Sequence, residues 1–312
     1  PACLMGLARL DMPSIVITGG VMDAGPDLLT LEQIGMYSAM CQRGEITDEK
    51  LTYYKHHACP SCGACSFMGT ASTMQIMAEA LGLMLPGSAL MPATCEDLKE
   101  MAYKAGKQVM ELVKKGIKVS DIVTEKAFEN AIMVHAAISG STNSLLHIPA
   151  MAHELGIEID ADTFDRMHRG AHYLLDIRPA GKWPAQFFYY AGGVPAVMEE
   201  IKSMLHLDVM TVTGKTLGEN LEDLKKNGFY DKCESYLKKW GLKRTDVIRT
   251  FDEPIGTDGT VAILRGNLAP EGSVVKHSAV PKEMFKAVLK ARPFDCEEDA
   301  IAAVLSHKIQ PG

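Results

Sequence analysis

Apolar side chains recur at helical spacing along much of the chain. Between Glu96 and Lys115 they follow the three- and four-residue intervals of one buried helix face, and Gly116 stands where a glycine commonly ends a helix. Shorter patterns of the same kind predict further helices over residues 31–41, 71–81, 125–138, 144–155, 196–205, 225–243 and 281–290.

Short apolar runs of β type alternate with these helices. They cover residues 14–18, 209–212, 260–264 and 273–275. The alternation before residue 250 predicts a layered α/β domain. From Arg249 onward glycine, proline and short β-type runs dominate. We therefore expect an α/β domain over 1–250 and the start of a β-rich domain over 251–312, a stretch that is short for a complete domain.

The composition is that of an ordinary globular protein. The 312 residues are 47% apolar and 23% charged, and this length suggests about two domains. The formal net charge of −7 argues against a nucleic-acid or anionic-lipid partner. No apolar run approaches the roughly 18 residues of a membrane span, and the first residues lack the basic and apolar regions of a signal peptide. The sequence therefore predicts a cytoplasmic chain with neither nucleic acid nor membrane as partner.

Three of the eight cysteines form a cluster in one loop. Cys59, Cys62 and Cys65 stand at three-residue intervals, and such a cluster in a cytosolic chain is typical of metal or redox chemistry. A ferredoxin run needs a fourth cysteine four residues after the third, where Gly69 stands. A zinc site needs a second ligand pair, and no such pair follows. Spacing alone therefore leaves an iron–sulfur or other metal site, one ligand short, beside the alternative of structural cysteines.

Three weaker constellations have a structural and a functional interpretation. Ser141, Thr142 and Asn143 lie in the loop between two predicted helices, where they could bind substrate or cap the second helix. Gly214-Lys215-Thr216 follows a β-type run but lacks the earlier glycine of a phosphate-binding loop, so a structural lysine or a substrate-carboxylate contact is preferred. His56-His57, beside the cysteine cluster, are either further ligands or hydrogen-bonded loop histidines.

Longer stretches resemble one known family. CPSCGACSFMGTASTM (59–74) followed by EALGLMLPGSAL (79–90) is similar to the dihydroxy-acid and phosphogluconate dehydratases, a family that includes the sugar-acid dehydratases. The resemblance continues through AFENAIMVHAAISGSTNSLLHIPAMA, DIRPAGKW, YYAGGVPAVM, DVMTVTGKTLGENL and LRGNLAPEGSVVKHSAV. It covers essentially the whole chain in the family's order.

The resemblance implies a carbon–oxygen hydro-lyase. Family members dehydrate a 2,3-dihydroxy carboxylate to a 2-keto acid with an iron–sulfur cluster, Mg²⁺ and a serine alkoxide as base. The cluster is expected to be 2Fe–2S rather than 4Fe–4S. Two metal centres suit this chemistry because hydroxide is a poor leaving group and the C2 proton is weakly acidic. The resemblance further implies a homodimer or homotetramer and a swivelling, barrel-like second domain.

Only one of the family's site residues is matched by a position in this chain. The resemblance implies that Cys65 is a cluster ligand and that Cys59 and Cys62 are not. The other two cluster ligands and the upstream Mg²⁺ ligands are expected before residue 1, and a glutamate ligand and the catalytic serine after residue 312. We therefore expect an internal part of a longer enzyme, inactive alone, with no catalytic residue within the chain.

The substrate class is less closely defined by the motifs. GTASTM and RGNLAPEGSVVK are more typical of the sugar-acid branch, so an aldonic acid is the first expectation. The alternative is a dihydroxy-acid dehydratase of branched-chain amino-acid biosynthesis. Two interpretations from other classes are an electron carrier or metal-binding module built on Cys59, Cys62 and Cys65, and a phosphate-binding protein built on Lys215.

Overall fold

The computed structural model describes residues 1–310, and helices form most of its regular structure. The helices are α1 (Ala2–Leu10), α2 (Gln33–Gln42), α3 (Asp48–His57), α4 (Thr70–Ala80), α5 (Glu96–Lys115), α6 (Val119–Ile122), α7 (Glu125–Ala137), α8 (Ser144–Glu154), α9 (Ala161–His168), α10 (Gln186–Tyr190), α11 (Gly193–Glu200), α12 (Leu217–Lys226), α13 (Phe229–Lys238) and α14 (Glu297–Leu305). Two strands, β1 (Ala262–Gly266) and β2 (Ala269–Val275), pair as an antiparallel hairpin. The chain divides into two compact units, residues 1–278 and the residues from Ala279 onward.

The longest helix confirms the clearest sequence prediction. Helix α5 spans Glu96–Lys115, and Gly116 follows it in the left-handed conformation with φ 67°. The Gly116 N–H donates to carbonyls of the last turn, including that of Leu112. The helix therefore ends where its glycine signal lies, because a residue without Cβ adopts this conformation at little cost.

The core of the first unit is built around α4 and α7. Both helices are buried along most of their length, as expected of helices that are packed on several sides. Helix α4 packs against α7, α8 and α11. Phe128 of α7 is fully buried, as are Phe187 and Phe188 of α10. This packing positions α4, whose N-terminal turn belongs to the site described below.

Most predicted helices are confirmed, and three are corrected. The predictions for 31–41, 71–81, 125–138 and 144–155 correspond to α2, α4, α7 and α8 within two residues at each end. The prediction for 196–205 is shifted, because α11 starts at Gly193 and ends at Glu200. The single helix predicted over 225–243 is wrong: Gly228, with φ 77°, separates α12 from α13.

The helix predicted over 281–290 is also wrong. This stretch holds only a short 3-10 turn at Lys282–Met284, and the last helix of the second unit is α14. Every residue from 281 to 290 is exposed, so the helix has no apolar face to bury. Short helices depend on such burial for stability, which explains the difference.

The strand predictions hold only for the hairpin. Residues 260–264 and 273–275 match β1 and β2, but residues 14–18 and 209–212 form no strand. Their backbone groups form isolated hydrogen bonds to other segments instead of a continuous ladder. The Val16 N–H, for example, donates to the Leu83 carbonyl at 2.8 Å. Mixed structure with one small sheet is compatible with the α/β class. The described residues from 251 onward form a hairpin and a helix and show no barrel, and the boundary near 250 stays a prediction.

Candidate active site

Three chain segments form a small parallel layer that carries Cys65. This layer consists of residues 20–22, 63–64 and 91–93. The Ala64 N–H donates to the Gly20 carbonyl at 3.0 Å, and the Met22 N–H donates to the Ala64 carbonyl at 2.7 Å. On the other side the Val21 N–H donates to the Met91 carbonyl at 2.8 Å. The layer therefore fixes the backbone immediately before Cys65 from two directions.

The three clustered cysteines differ in their surroundings. Cys59 and Cys62 are exposed, whereas Cys65 is half-buried. The Cys65 carbonyl accepts a hydrogen bond from the Ser72 hydroxyl at 3.2 Å. Neighbouring Ser66 is fully buried, and its hydroxyl has no hydrogen-bond partner in the described part of the chain. Cys65 is therefore the least exposed member of the cluster, and its backbone is held by the α4 helix.

The loop between α7 and α8 meets the same end of α4. The Ser141 N–H donates to the Thr73 hydroxyl at 3.0 Å, and the Asn143 side-chain amide donates to the Thr70 hydroxyl at 2.6 Å. Ser72, which bonds to Cys65, lies between these two threonines. The first turn of α4 therefore contacts both segments that the sequence analysis singled out. The run Thr70–Thr73 in the chain was the signal for this arrangement, although the sequence analysis did not use it.

Simple helix capping does not account for the α7–α8 loop. Asn143 occupies the N-cap position of α8, but no side-chain capping bond is formed there. Its amide is directed to Thr70 instead, and its own N–H donates to the Ser141 hydroxyl at 3.3 Å. Thr142 is half-buried between them. The loop is thus held by tertiary contacts.

Two buried histidines that the sequence analysis missed are connected to the α7–α8 loop by hydrogen bonds. His135 Nε2 lies 3.0 Å from the Ser141 carbonyl, and His135 Nδ1 lies 3.1 Å from His168 Nε2. His168 Nδ1 in turn accepts hydrogen bonds from the Thr260 and Val261 N–H groups at 3.2 Å. Both imidazoles are buried. The chain of bonds therefore links the segment that enters β1 to the α7–α8 loop.

The backbone donors to His168 determine the direction of donation in this series of hydrogen bonds. Because His168 Nδ1 accepts from two N–H groups, its proton must be on Nε2, which then donates to His135 Nδ1. His135 must therefore carry its proton on Nε2 and donate to Ser141. Burial lowers the pKa of His135 to about 4 and the pKa of His168 well below its usual value. Both rings are therefore neutral, and each has a single tautomer.

We expect acid to weaken the contribution of His135 to stability. A folded pKa of about 4, below the unfolded value of 6.5, means that the contribution is complete above pH 6.5 and is lost as the pH falls towards 4. About 2 kcal/mol should be lost between pH 7 and pH 5. The measurement is the free energy of unfolding in urea for wild type and His135→Gln, which keeps a donor for Ser141 but does not titrate. Equal pH slopes for the two proteins would contradict the lowered pKa of the buried His135.

Lys215, Thr216 and His57 make contacts of a structural kind. Lys215 Nζ lies 2.5 Å from the Asp223 carboxylate on the surface, and Thr216 forms a capping box with Glu219 at the start of α12. The Gly214–Thr216 turn is thus a helix start with no phosphate-loop form. His57 closes α3, and its Nδ1 lies 2.7 Å from the Tyr53 carbonyl.

The donor groups fit a cluster ligand at Cys65 and no complete metal site. No group of three or more His, Cys, Asp or Glu side chains among residues 1–310 is placed to hold a metal ion. Cys59, Cys62 and Cys65 are therefore not brought together as a ligand set. A half-buried thiol next to an unpartnered buried hydroxyl suits a single thiolate ligand. No described group of carboxylates suits Mg²⁺.

Comparison with known families covers nearly the whole chain. Residues 1–220 match the N-terminal model of the dihydroxy-acid/6-phosphogluconate dehydratases, and residues 246–312 match the C-terminal model of the same family. The chain belongs to this dehydratase family. Membership confirms the resemblance drawn from the cysteine loop and the later motifs. No described helix of this dehydratase-family chain has the length and apolar character to cross a membrane.

Curated relatives within the dehydratase family are similar over the full length of the chain. Proteins named dihydroxy-acid dehydratase from Acetivibrio thermocellus and Caldicellulosiruptor saccharolyticus are each 43% identical over 321 aligned residues, covering 100% of this chain and 54% of theirs. Dihydroxy-acid dehydratase 1 of Methanosarcina acetivorans is 42% identical, with 100% and 55% covered. The chain thus spans about half the length of these relatives.

Proposed function

We propose that this chain is part of a dihydroxy-acid dehydratase, which removes water from a 2,3-dihydroxy carboxylate to form a 2-keto acid. The observation that carries the proposal is the 42–43% identity, over the whole chain, to relatives that all bear that name. These names support the branched-chain alternative better than the aldonic acid that the sequence motifs first favoured. A cytoplasmic homodimer or homotetramer belongs to the same proposal and rests on family membership.

Within this reaction Cys65 would bind an iron–sulfur cluster, 2Fe–2S in preference to 4Fe–4S. When bound, the cluster supplies a Lewis acid for the departing 3-hydroxyl group. The further cluster ligands, the Mg²⁺ ligands and the base serine are proposed to come from segments of the longer relatives that this chain does not span. The role of the chain's own residues is to hold the Cys65 thiolate at a fixed position through the three-segment layer and the Ser72 hydrogen bond.

The α7–α8 loop is proposed to contact the substrate. Ser141, Thr142 and Asn143 carry hydroxyl and amide groups that can pair with a hydroxy acid. Two of them bond to the first turn of α4, which also holds Cys65, so loop and cysteine share one support. Rigid support of this kind favours reaction because it keeps bound groups in a reactive geometry.

Substrate preference tests the proposed reaction. The chain would be supplied with the flanking segments of the Acetivibrio thermocellus relative, reconstituted without oxygen, and assayed for 2-keto acid. We expect kcat/KM for 2,3-dihydroxy-3-methylbutanoate to exceed that for gluconate by at least about 10-fold. The unmodified relative is the control for reconstitution. A preference for gluconate would overturn the proposal and restore the aldonic-acid interpretation.

Replacing single cysteines tests the cluster assignment in the same protein. Cys65→Ser should lower the bound iron and acid-labile sulfide and reduce activity by at least about 100-fold, because even groups that only support a metal ligand contribute 10- to 100-fold. Cys62→Ser is the matched control and should keep both. An equal loss in the two variants would show a local three-cysteine site, as in the electron-carrier interpretation.

A further inference from the structure

Lys276 presents an ammonium group that no acid of the described chain neutralises. It lies directly after β2, is half-buried, and donates from Nζ to the Ser139 carbonyl at 2.7 Å. No carboxylate within residues 1–310 lies at ion-pair distance from it, whereas surface lysines such as Lys215 and Lys232 have acid partners. Buried charges are normally paired, so an unpaired one calls for an explanation.

The groups around Lys276 are hydrogen-bonding but uncharged. The Ser139 and Ser278 hydroxyls lie 3.0 Å apart, and Ser139 is close enough to the Tyr173 hydroxyl to lower the pKa of that phenol, against the larger raising effect of burial. Ser139 has φ 54°, a left-handed conformation that is uncommon for residues other than glycine. Burial, and to a smaller extent the charge of Lys276, lower the pKa of His135 to about 4, so this ring is neutral. No ion pair between Lys276 and a carboxylate is therefore formed within residues 1–310 to balance the ammonium charge.

Such a set of groups is complementary to a small anion. Burial lowers the pKa of Lys276 to about 8, so the ammonium form still prevails at neutral pH. One of its N–H groups is used by Ser139, which leaves two to donate. Charge-assisted bonds from an ammonium to a carboxylate, supported by hydroxyl donors, are strong in partly desolvated surroundings.

The position of this group relates it to the candidate active site. Ser139 is two residues before Ser141, so their Cα atoms are at most about 7.6 Å apart. Ser141 bonds to Thr73 in the turn of α4 that also holds Cys65. Lys276, which follows the hairpin, therefore bonds through the Ser139 carbonyl to the same α7–α8 loop that carries the proposed substrate residues.

We propose that Lys276 binds the carboxylate of the substrate, with one hydroxyl of the hydrogen-bonded Ser139–Ser278 pair as a neighbouring donor. The identity of the acid rests on the proposed function, but the carboxylate site itself does not. A carboxylate is favoured over a phosphate because the site offers one ammonium and hydroxyls, without the guanidinium that bidentate phosphate recognition commonly uses.

Binding to the 312-residue chain tests the site without requiring catalysis. The probes are 2,3-dihydroxy-3-methylbutanoate, its uncharged methyl ester, gluconate and inorganic phosphate at equal ionic strength. Amide resonances of Ser139, Lys276 and Ser278 report binding by NMR. We expect saturable shifts with the free acid and none with the ester. Lys276→Met should weaken binding at least about 10-fold, and Lys276→Arg should restore most of it. Lys215→Met removes the same charge from an exposed ion pair and should leave binding unchanged.

The outcomes separate the site from the reaction. Saturable binding of gluconate but not of the dihydroxybutanoate would support the carboxylate site and contradict the proposed substrate. Equal shifts with acid and ester, or unchanged affinity in Lys276→Met, would overturn the site whatever the enzyme's activity. Tighter binding of phosphate than of either carboxylate would likewise overturn it. If Lys276→Met does not fold, the comparison of acid with ester in wild type decides.

Discussion

Replacing Glu79 by alanine is expected to lower the free energy of unfolding by about 3 to 5 kcal/mol. Glu79 lies on α4 with 7% of its surface exposed. Its carboxylate accepts the Gly87 N–H at 2.6 Å and the Ala89 N–H at 2.7 Å. Alanine would leave both buried donors unpaired, at about 1 to 3 kcal/mol each, and would add a cavity. Urea or thermal unfolding followed by circular dichroism measures the loss.

The cost of Glu79→Ala should depend on pH in a defined direction. Burial raises the pKa of Glu79 to about 7, from an ordinary value of 4.5. A raised pKa means that the contribution of the group is complete below about pH 4.5 and falls as the pH rises through 7. The variant should therefore lose about 2 to 3 kcal/mol more at pH 5 than at pH 8. A cost that is larger at pH 8 would contradict the assignment.

Two variants serve as controls for Glu79. Glu111→Ala removes an exposed carboxylate of α5 that pairs with Lys114 at 2.7 Å, and should cost no more than about 1 kcal/mol. Glu79→Gln keeps one acceptor but places an amide donor against the second N–H. It should therefore be intermediate in stability and insensitive to pH in this range.

Replacing Gly63 by alanine is expected to cost about 2 to 4 kcal/mol and to displace Cys65. Gly63 has φ +114°, and a Cβ atom there would lie 2.6 Å from the Met22 nitrogen and 2.9 Å from the Ala93 Cβ. Both neighbours belong to the three-segment layer, so neither can move without breaking hydrogen bonds. The cost combines backbone strain with overpacking.

Gly44→Ala is the matched control for Gly63→Ala. Gly44 also has a positive φ, +74°, but no neighbouring atom lies within 4 Å of the position that a Cβ atom would take there. It should therefore show only the conformational cost of about 1 to 2 kcal/mol. The free energy of unfolding of both variants, with the amide shift of Cys65 as a local readout, separates strain from close approach. Equal effects would show that the layer does not confine Gly63.

The candidate site around Cys65 depends on both Glu79 and Gly63, because each residue positions one of the segments that surround Cys65. Glu79 ties α4 to the turn at 87–89, which leads into the segment at 91–93. Gly63 lets the cysteine loop lie against that segment. The predicted losses in stability therefore concern the same surroundings of Cys65 that the proposed cluster would need.

Local signals in the sequence determined several of the helices and the family. Periodicity and a terminal glycine located α5 to the residue, and the motifs from the cysteine loop to the hairpin identified the dehydratase family. These features can be read from the sequence because a helix bonds to itself within four residues and a motif keeps its residue order. The hairpin at β1 and β2 is equally local.

The tertiary structure alone decided how the site is assembled. Spacing suggested a ligand set of three cysteines, but the fold leaves two of them exposed and buries Cys65 in part. The contact between His135 and His168 spans 33 residues, and that between Lys276 and Ser139 spans 137. No periodicity indicates such pairs, because they form only when α9 packs against α7 and β1 and so closes long stretches of chain. The sequence therefore determined the family and the elements with strong local signals, and the packing determined which side chains meet.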